Sequence, residues 1–232
     1  MSATAPPSSA PPTPRAHGAS APSDWVLRWS QAWRDRPGAT ALDLACGSGR
    51  HLRLLAGAGL HVTGVDRDAA ALAALAAQAP VPDGDGPTGL VELVEADIEQ
   101  DPWPLGERRF DLVVVTNYLW RPLLTRIGET VAPGGWLLYE TFTDGQQTIG
   151  RPSRPDFLLR PGELLGAFDG LRIVAYEDGF LDASPGDATS GGVGGAVNGR
   201  HVQRVAAVRE SRPPETPSGS PSPGVYPRYR LL

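Results

Sequence analysis

Apolar positions in this chain come in short blocks separated by turn residues, and the blocks carry two different periods. Between Asp24 and Arg34, residues Trp25, Leu27, Trp29 and Trp33 recur at intervals that share much of one helical face, with Ser23 or Asp24 as its cap. The tryptophans are expected to pack beneath a sheet, and a helix so placed can cover a pocket. From residue 41 the pattern becomes strand, turn, helix: Ala41 to Ala45 is apolar, a glycine turn follows, and Leu52 to Ala56 reads as a helix. His61 to Val65 is a second strand and the alanine-rich stretch Ala69 to Ala79 a second crossover helix. After a Pro/Gly/Asp loop at Pro80 to Gly89 come strands at Leu90 to Val94 and Phe110 to Thr116. The last of these is apolar throughout, as in a strand covered on both faces. Pro122 to Val131 fits the next helix, with Pro133-Gly134-Gly135 as its stop signal before a strand at Trp136 to Thr141.

Strands joined by helical crossovers predict a doubly wound, mostly parallel α/β sheet. Leu171 to Tyr176 and Val202 to Val208 raise the expected number of strands to seven. Only the glycine-rich insertion Asp182 to Gly199 lies between those two, so they are expected to form an antiparallel edge pair. No internal repeat is visible.

Composition adjusts this picture at its margins. A chain of 232 residues suits one domain with a buried core, but 28 glycines and 24 prolines exceed what a compact domain uses. The surplus is expected in insertions and in disordered tails at 1–22 and 211–232, around a domain at 23–210, with Tyr226 and Tyr229 as an aromatic end to the second tail. The net charge of -5 is mixed along the chain, so no basic stripe is available for a long nucleic acid. The lone cysteine, Cys46, excludes disulfides and multi-cysteine zinc frameworks. No apolar run approaches the roughly 20 residues that span a bilayer, and Met1 to Pro22 lacks the apolar core of a secretory signal, so a soluble cytoplasmic protein is expected.

Candidate chemistry collects where the predicted strands end, which is where open parallel sheets bind ligands. Gly47 and Gly49 allow a sharp turn and close backbone approach just before a helix N-terminus. The dinucleotide fingerprint would continue with a third glycine or alanine where this chain has Leu52, which counts against a nicotinamide-dependent oxidoreductase. Asp66 ends the second strand, where a carboxylate can accept from both hydroxyls of a ribose and is expected to contact ligand rather than core; the neighbouring Arg67 leaves some room for a ribose phosphate. Asp97, after the third strand, can accept from an exocyclic adenine amine, so the ligand read from these residues is an adenosine.

The series Ala41-Leu42-Asp43-Leu44-Ala45-Cys46-Gly47-Ser48-Gly49, Gly64-Val65-Asp66, Glu95-Ala96-Asp97, Phe110-Asp111-Leu112-Val113-Val114 and Pro133-Gly134-Gly135 resembles, in order, the motifs of class I S-adenosylmethionine methyltransferases. The resemblance covers roughly residues 40 to 142 and departs from the usual pattern at Ala45, where glycine is more common. It implies a Rossmann-like fold and S-adenosyl-L-methionine as cofactor. It further implies that Asp43 and the backbone of Ala45, Cys46, Gly47 and Gly49 hold the methionine moiety, Asp66 the ribose, Asp97 and Ile98 the adenine, and Asn117 the region near the sulfonium. Asp111 begins its strand rather than ending it, so it reads as structural, and Cys46 as a packed residue rather than a nucleophile. His51 and His61 read as a helix-start contact and a strand-edge residue, and no metal site is expected.

The methyl-acceptor side is less legible. Thr116 to Leu123, Tyr139 to Phe142 and the irregular stretch Gly150 to Leu164 resemble a bacterial, tellurite-resistance-like subgroup of the family, a relationship that names no substrate. Tyr118, Glu140 and Asp156 are the candidates to take a proton from a small-molecule acceptor, although methyl transfer by displacement at carbon needs no dedicated base. Tyr118 and Trp120 can equally present aromatic faces to a sulfonium, and Arg121, Arg151 and Arg154 form either an anion-binding rim or a solvated loop. The rival from another class is a non-catalytic protein that binds the same cofactor and regulates a partner.

Overall fold

The computed structural model describes residues 21–78, 88–182 and 199–211, together with Tyr229. Seven strands form one sheet: β1 (Thr40–Leu44), β2 (His61–Asp66), β3 (Val91–Glu95), β4 (Phe110–Thr116), β5 (Val131–Phe142), β6 (Arg172–Asp182) and β7 (Gly199–Val208). Their order is β3-β2-β1-β4-β5-β7-β6, with β1 to β5 parallel and β7 antiparallel to both β5 and β6. The doubly wound, mostly parallel sheet with an antiparallel pair is therefore as expected, with β6 at the edge and β7 inside it. Helices α1 (Asp24–Arg28), α2 (Arg50–Gly57), α3 (Ala69–Ala76), α4 (Leu124–Glu129) and α5 (Glu163–Ala167) complete the described elements, with short 3-10 turns between them.

The central strands are apolar at consecutive positions because each of their faces meets a separate core. Leu42, Leu44, Val113, Val115, Leu137 and Tyr139 point to one side, where Ile127 of α4 and Leu164 of α5 cover them. Ala41, Leu112, Val114, Trp136 and Leu138 point to the other, under Leu52 and Leu55 of α2 and the tryptophans Trp25, Trp29 and Trp33. Those three indoles are buried as expected, while Leu27 turns outward and is 40% exposed. The helix expected over 24–34 ends at Arg28 and continues as a 3-10 turn, Ser30–Ala32. Ser23 is its cap, accepting from the Trp25 amide at 3.1 Å.

Two expectations need correction. Pro133-Gly134-Gly135 is not a stop before the fifth strand but a bulge inside it, since Phe110 pairs with Val131 while Leu112 already pairs with Trp136. Gly135 is required there, because a Cβ would lie 2.9 Å from the carbonyl oxygens of Ala132 and Phe110. The stretch 150–164 is also not wholly irregular, for it includes a 3-10 turn at Pro155–Phe157 and the start of α5. The first tail, most of the Pro80 to Gly89 loop, the 183–198 insertion and the second tail after 211 lie outside the described residues, apart from Ala21, Pro22 and Tyr229. Tyr229 meets Trp136 edge to face at 5.6 Å.

Asp111 sits at the start of β4, on the edge of the sheet away from the strand ends that carry the candidate site. One of its oxygens accepts from both the backbone amide and the hydroxyl of Thr40 at 2.9 Å, and Arg36 lies 3.6 Å from the other. Asp111→Ala is expected to lower the unfolding free energy by about 1–2 kcal/mol, the range for partly exposed hydrogen bonds to a charged group. A urea titration in which the midpoint did not move would remove Asp111 from the structural set.

Candidate functional site

The strand order reverses between β1 and β4, so the crevice opens at their carboxyl ends. Along that edge the fold lines up the predicted residues from β3 to β4: Asp97 and Ile98, then Asp66 and Arg67, then the turn from Ala45 to Gly49, then Asn117. The row is continuous. Arg67 reaches Asp97 at 3.8 Å, and the Gly47 amide donates to Asp66 at 2.7 Å.

The turn after β1 is built from left-handed backbone at Ala45 (φ 54), Gly47 (φ 52) and Gly49 (φ 73). Ala45 bears the strain of a Cβ in that region, at a typical cost of about 1–2 kcal/mol. Gly49 is fixed twice, since any Cβ there would fall 2.4 Å from Leu75 of α3. At Gly47 a Cβ would meet nothing within 4 Å, so the space above its backbone is open to a ligand. Cys46 is buried among Leu72, Leu75 and Leu93, and burial beside Asp43 and Asp66 raises its thiol pKa well above the ordinary value, which makes it packing rather than a nucleophile.

Asp43 and Asp66 hold this turn from beneath. The Asp43 carboxylate is 2% exposed and accepts from the Leu52 amide at 2.9 Å, so it caps the first turn of α2 from the neighbouring strand. Burial pushes its pKa up to about 7, against the opposing pull of that amide and of Arg50. Asp66 accepts from the Gly47 amide with one oxygen and from the Asp68 amide, at 2.9 Å, with the other. The expectation that Asp66 serves a ligand rather than the fold is therefore too narrow: it ties the glycine turn to β2, and each oxygen has remaining capacity for a further donor. Asp97 likewise accepts from the Glu99 amide at 3.0 Å, and Ile98 packs into the core beside it. Asn117 follows β4 in left-handed backbone (φ 56), its amide donating to the Glu140 carbonyl at 2.8 Å and its side chain exposed.

The three candidate proton acceptors are not brought together. The Tyr118 hydroxyl is buried facing Glu99 and Asp97, on the Asp97 side of the row, and burial together with those carboxylates raises its pKa above the ordinary phenol value. Both effects favour the neutral phenol. Glu140, at the end of β5, is fully buried: one oxygen accepts from the Ser23 hydroxyl at 3.0 Å and lies 3.2 Å from Arg200, and the other lies 3.5 Å from Arg204. Asp156 lies on the exposed 3-10 turn, paired with Arg154 at 2.9 Å. The anion-rim reading weakens for the same kind of reason. Arg121 is committed to Glu163 through two nitrogens, at 2.6 and 2.9 Å, and to the carbonyls of Asp156 and Leu158.

Arg50 escaped the sequence reading, as did the partners of His51 and Ser23. Arg50 extends from the start of α2 to the Thr116 hydroxyl at 3.3 Å and to the Ala21 carbonyl at 3.2 Å, spanning the mouth between β1 and β4. His51 is 2% exposed and accepts from the Ser23 amide at 2.9 Å; burial and the charge of Arg50 hold its pKa down at about 3. The sequence marked Ser23 as a cap and His51 as a helix-start contact, but nothing local announces that the two meet or that Ser23 also meets Glu140.

Residues 41–135 match the methyltransferase domain family. No curated protein matches the chain in sequence. Among solved structures, TehB from Haemophilus influenzae superposes with a TM-score of 0.60 at 16% identity, over 80% of this chain and 61% of that one, so this chain spans about three fifths of its length. A SAM-dependent methyltransferase from Methanosarcina mazei superposes at 0.56 and 17% identity, over 76% and 95% of the two chains. The [4+2]-cyclase SpnF gives 0.54 at 16% identity, over 79% and 78%. The resemblance read from the motifs is borne out for the domain and the fold: residues 41–135 match a methyltransferase domain, and the sheet is that of the class I S-adenosylmethionine methyltransferase fold shared with TehB.

Two outcomes follow from the buried groups. Ala45→Gly is expected to raise stability by about 1 kcal/mol by removing the left-handed penalty, read as a higher urea midpoint; a lower midpoint would mean that the methyl group packs productively. The second concerns pH. Asp43, raised to about 7, binds a proton in the folded state that the unfolded chain releases near 3.8, so its contribution to stability falls as pH rises from 4 to 7. His51, lowered to about 3, stays neutral when folded while the unfolded chain binds a proton below 6.5, so its contribution falls as pH drops from 6.5. The two slopes oppose each other between pH 4 and 6.5. Asp43→Asn should expose the histidine slope, a loss of up to about 1.4 kcal/mol per pH unit on acidification relative to wild type. Parallel stability curves for the two proteins would refute the assignment.

Proposed function

We propose that this chain, with its methyltransferase domain and class I fold, binds S-adenosyl-L-methionine and transfers the methyl group to a small-molecule acceptor. The observation that carries this reading is the row formed by the open glycine turn, Asp66 and Asp97 at the switch point of the sheet. Its donor and acceptor set fits the cofactor. The bare backbone above Gly47 admits a ligand, Asp66 has capacity left for ribose hydroxyls, and Asp97 with Ile98 offers an acceptor beside an apolar surface for adenine. Asp43, Ala45, Cys46, Gly47 and Gly49 would hold the methionine portion, with Arg67 over the adenosine side and Asn117 near the sulfonium.

When bound, the cofactor supplies a methyl group already activated by the positive sulfur. What the chain contributes is placement and exclusion of water. Tyr118 is held as a neutral phenol and Glu140 is engaged by two arginines, so neither is free to remove a proton at neutral pH. Asp156 is the one candidate carboxylate open to solvent. This favours an acceptor that arrives with its lone pair available, and it favours a small one, since Ser23 and α1 close the side of the site beside β5. The reading keeps the cytoplasmic setting and excludes long nucleic acids on the strength of the composition. No helix among the described residues is long and apolar enough to cross a membrane.

Calorimetry is expected to show binding of S-adenosylmethionine and S-adenosylhomocysteine and none of NAD; tight NAD binding alone would overturn the reading. Asp66→Ala should weaken S-adenosylhomocysteine binding by about 1.5–3 kcal/mol. Because Asp66 also holds the Gly47 and Asp68 amides, the same variant should melt at a lower temperature, and one with normal affinity would move the ribose elsewhere. Incubation with a metabolite extract and methyl-labelled cofactor separates an enzyme from a regulatory binder: label transferred to a product of measured mass supports the former, and binding without consumption supports the latter.

A further inference from the structure

A buried polar chain crosses the edge of the site between α2 and β5, and methyl transfer as proposed above makes no use of it. The Ser23 amide donates to His51 Nε2 at 2.9 Å, and the Ser23 hydroxyl donates to Glu140 at 3.0 Å while accepting from the Trp25 amide at 3.1 Å. Glu140 is paired with Arg200 and Arg204, and Arg204 pairs in turn with Glu177, which Arg28 of α1 also reaches. The path leaves α1, passes through β7 and β6, and returns to α1. Trp25 closes it from above, donating its indole N–H to the Val205 carbonyl at 3.2 Å with the Arg204 guanidinium 5.0 Å from its ring.

The chemistry fixes the direction of each bond. His51 is neutral, and its Nε2 lone pair faces the Ser23 amide, so the ring proton lies on Nδ1, which faces the Thr116 hydroxyl at 3.5 Å. His51 is the second residue of α2, and Leu52 beside it is held by Asp43. The first turn of α2 is therefore pinned from two directions, by β1 through Asp43 and by the segment before α1 through Ser23. Burying the Glu140 carboxylate entirely is costly, and an apolar side chain would fill the same volume more cheaply. What the carboxylate provides is an oriented acceptor for Ser23.

We propose that Ser23, His51 and Glu140 are positioning residues that latch the segment 21–28 across the edge of the cleft and set the first turn of α2 under the ligand. None of the three touches the reacting atoms. The consequence for ligand binding rests on the methyltransferase reading, whereas the latch itself does not.

Amide hydrogen exchange of the full chain, read at Leu27 and Trp29 in and after α1 and at Leu52 and Arg53 in α2, tests the coupling. In Ser23→Ala, exchange at both pairs should accelerate together by about tenfold, and Ser23→Thr should restore both. Glu140→Met removes the acceptor for the Ser23 hydroxyl without altering the Trp25 cap or any residue of α2, yet it should accelerate the α2 amides as well; a purely local role for Glu140 would not do so. With S-adenosylhomocysteine as probe, far below the melting temperature, Ser23→Ala should raise the dissociation constant about tenfold, and Ser23→Thr should not. Acceleration confined to α1, or unchanged S-adenosylhomocysteine affinity in Ser23→Ala, would overturn the proposal. If the wild-type protein binds no S-adenosylhomocysteine, the methyltransferase reading falls. The latch then stands or falls on whether the two pairs of amides respond together.

Discussion

The ligand edge of this protein depends on keeping one turn left-handed, between β1 and α2, where three residues in five hold positive φ. Backbone in that region makes few bonds of its own, so the neighbours must supply them. Asp66 takes the Gly47 amide, Val65 accepts from Cys46, and Asp43 takes the Leu52 amide just beyond. Leu75 leaves no room for a side chain at Gly49, so the turn also sets how closely α3 approaches. Satisfying the turn from below leaves its upper surface bare, and that bare surface is what a ligand can reach.

The same arrangement explains which parts of the protein are legible in the sequence. Strands covered on both faces must be apolar at consecutive positions, which is why β1, β2, β4 and β5 stand out, and polar residues mark where they end. The row of Asp66, Asp97 and Asn117 follows directly from those ends. Pro133-Gly134-Gly135 misleads because the residues that stop a helix are also those that accommodate a bulge, and only the pairing of β4 with β5 separates the two. The double duty of Asp66 is hidden for a related reason: a carboxylate at a strand end looks the same whether it faces a ligand, a backbone amide or both.

Long-range polar contacts are the part a sequence does not display. Glu140 and Ser23 are separated by 117 positions, and Glu140 and its arginines lie on strands that become neighbours only once β7 inserts. Read along the chain, Glu140 is an acid at a strand end beside a candidate pocket, the profile of a general base. Read in three dimensions, it is a buried anion with a hydrogen bond and two cations already on it. On the proposed reading this shifts the burden of catalysis from proton removal to geometry, in keeping with a displacement that needs alignment and a dry site. The cyclase SpnF shares the fold, so the scaffold alone does not dictate the reaction.

The place of β7 has a consequence for how the chain reaches this state. It is the last of the described strands in sequence, yet it lies between β5 and β6 and pairs with both along its length. Until residues 199–208 arrive, β5 carries an unsatisfied edge beside Leu137, Leu138 and Tyr139, which is the kind of surface that recruits strands from other molecules. The Glu140 carboxylate lies on that same edge, and both of its arginine partners, Arg200 and Arg204, come from β7. Completion of the sheet and pairing of the buried Glu140 carboxylate thus depend on the same strand.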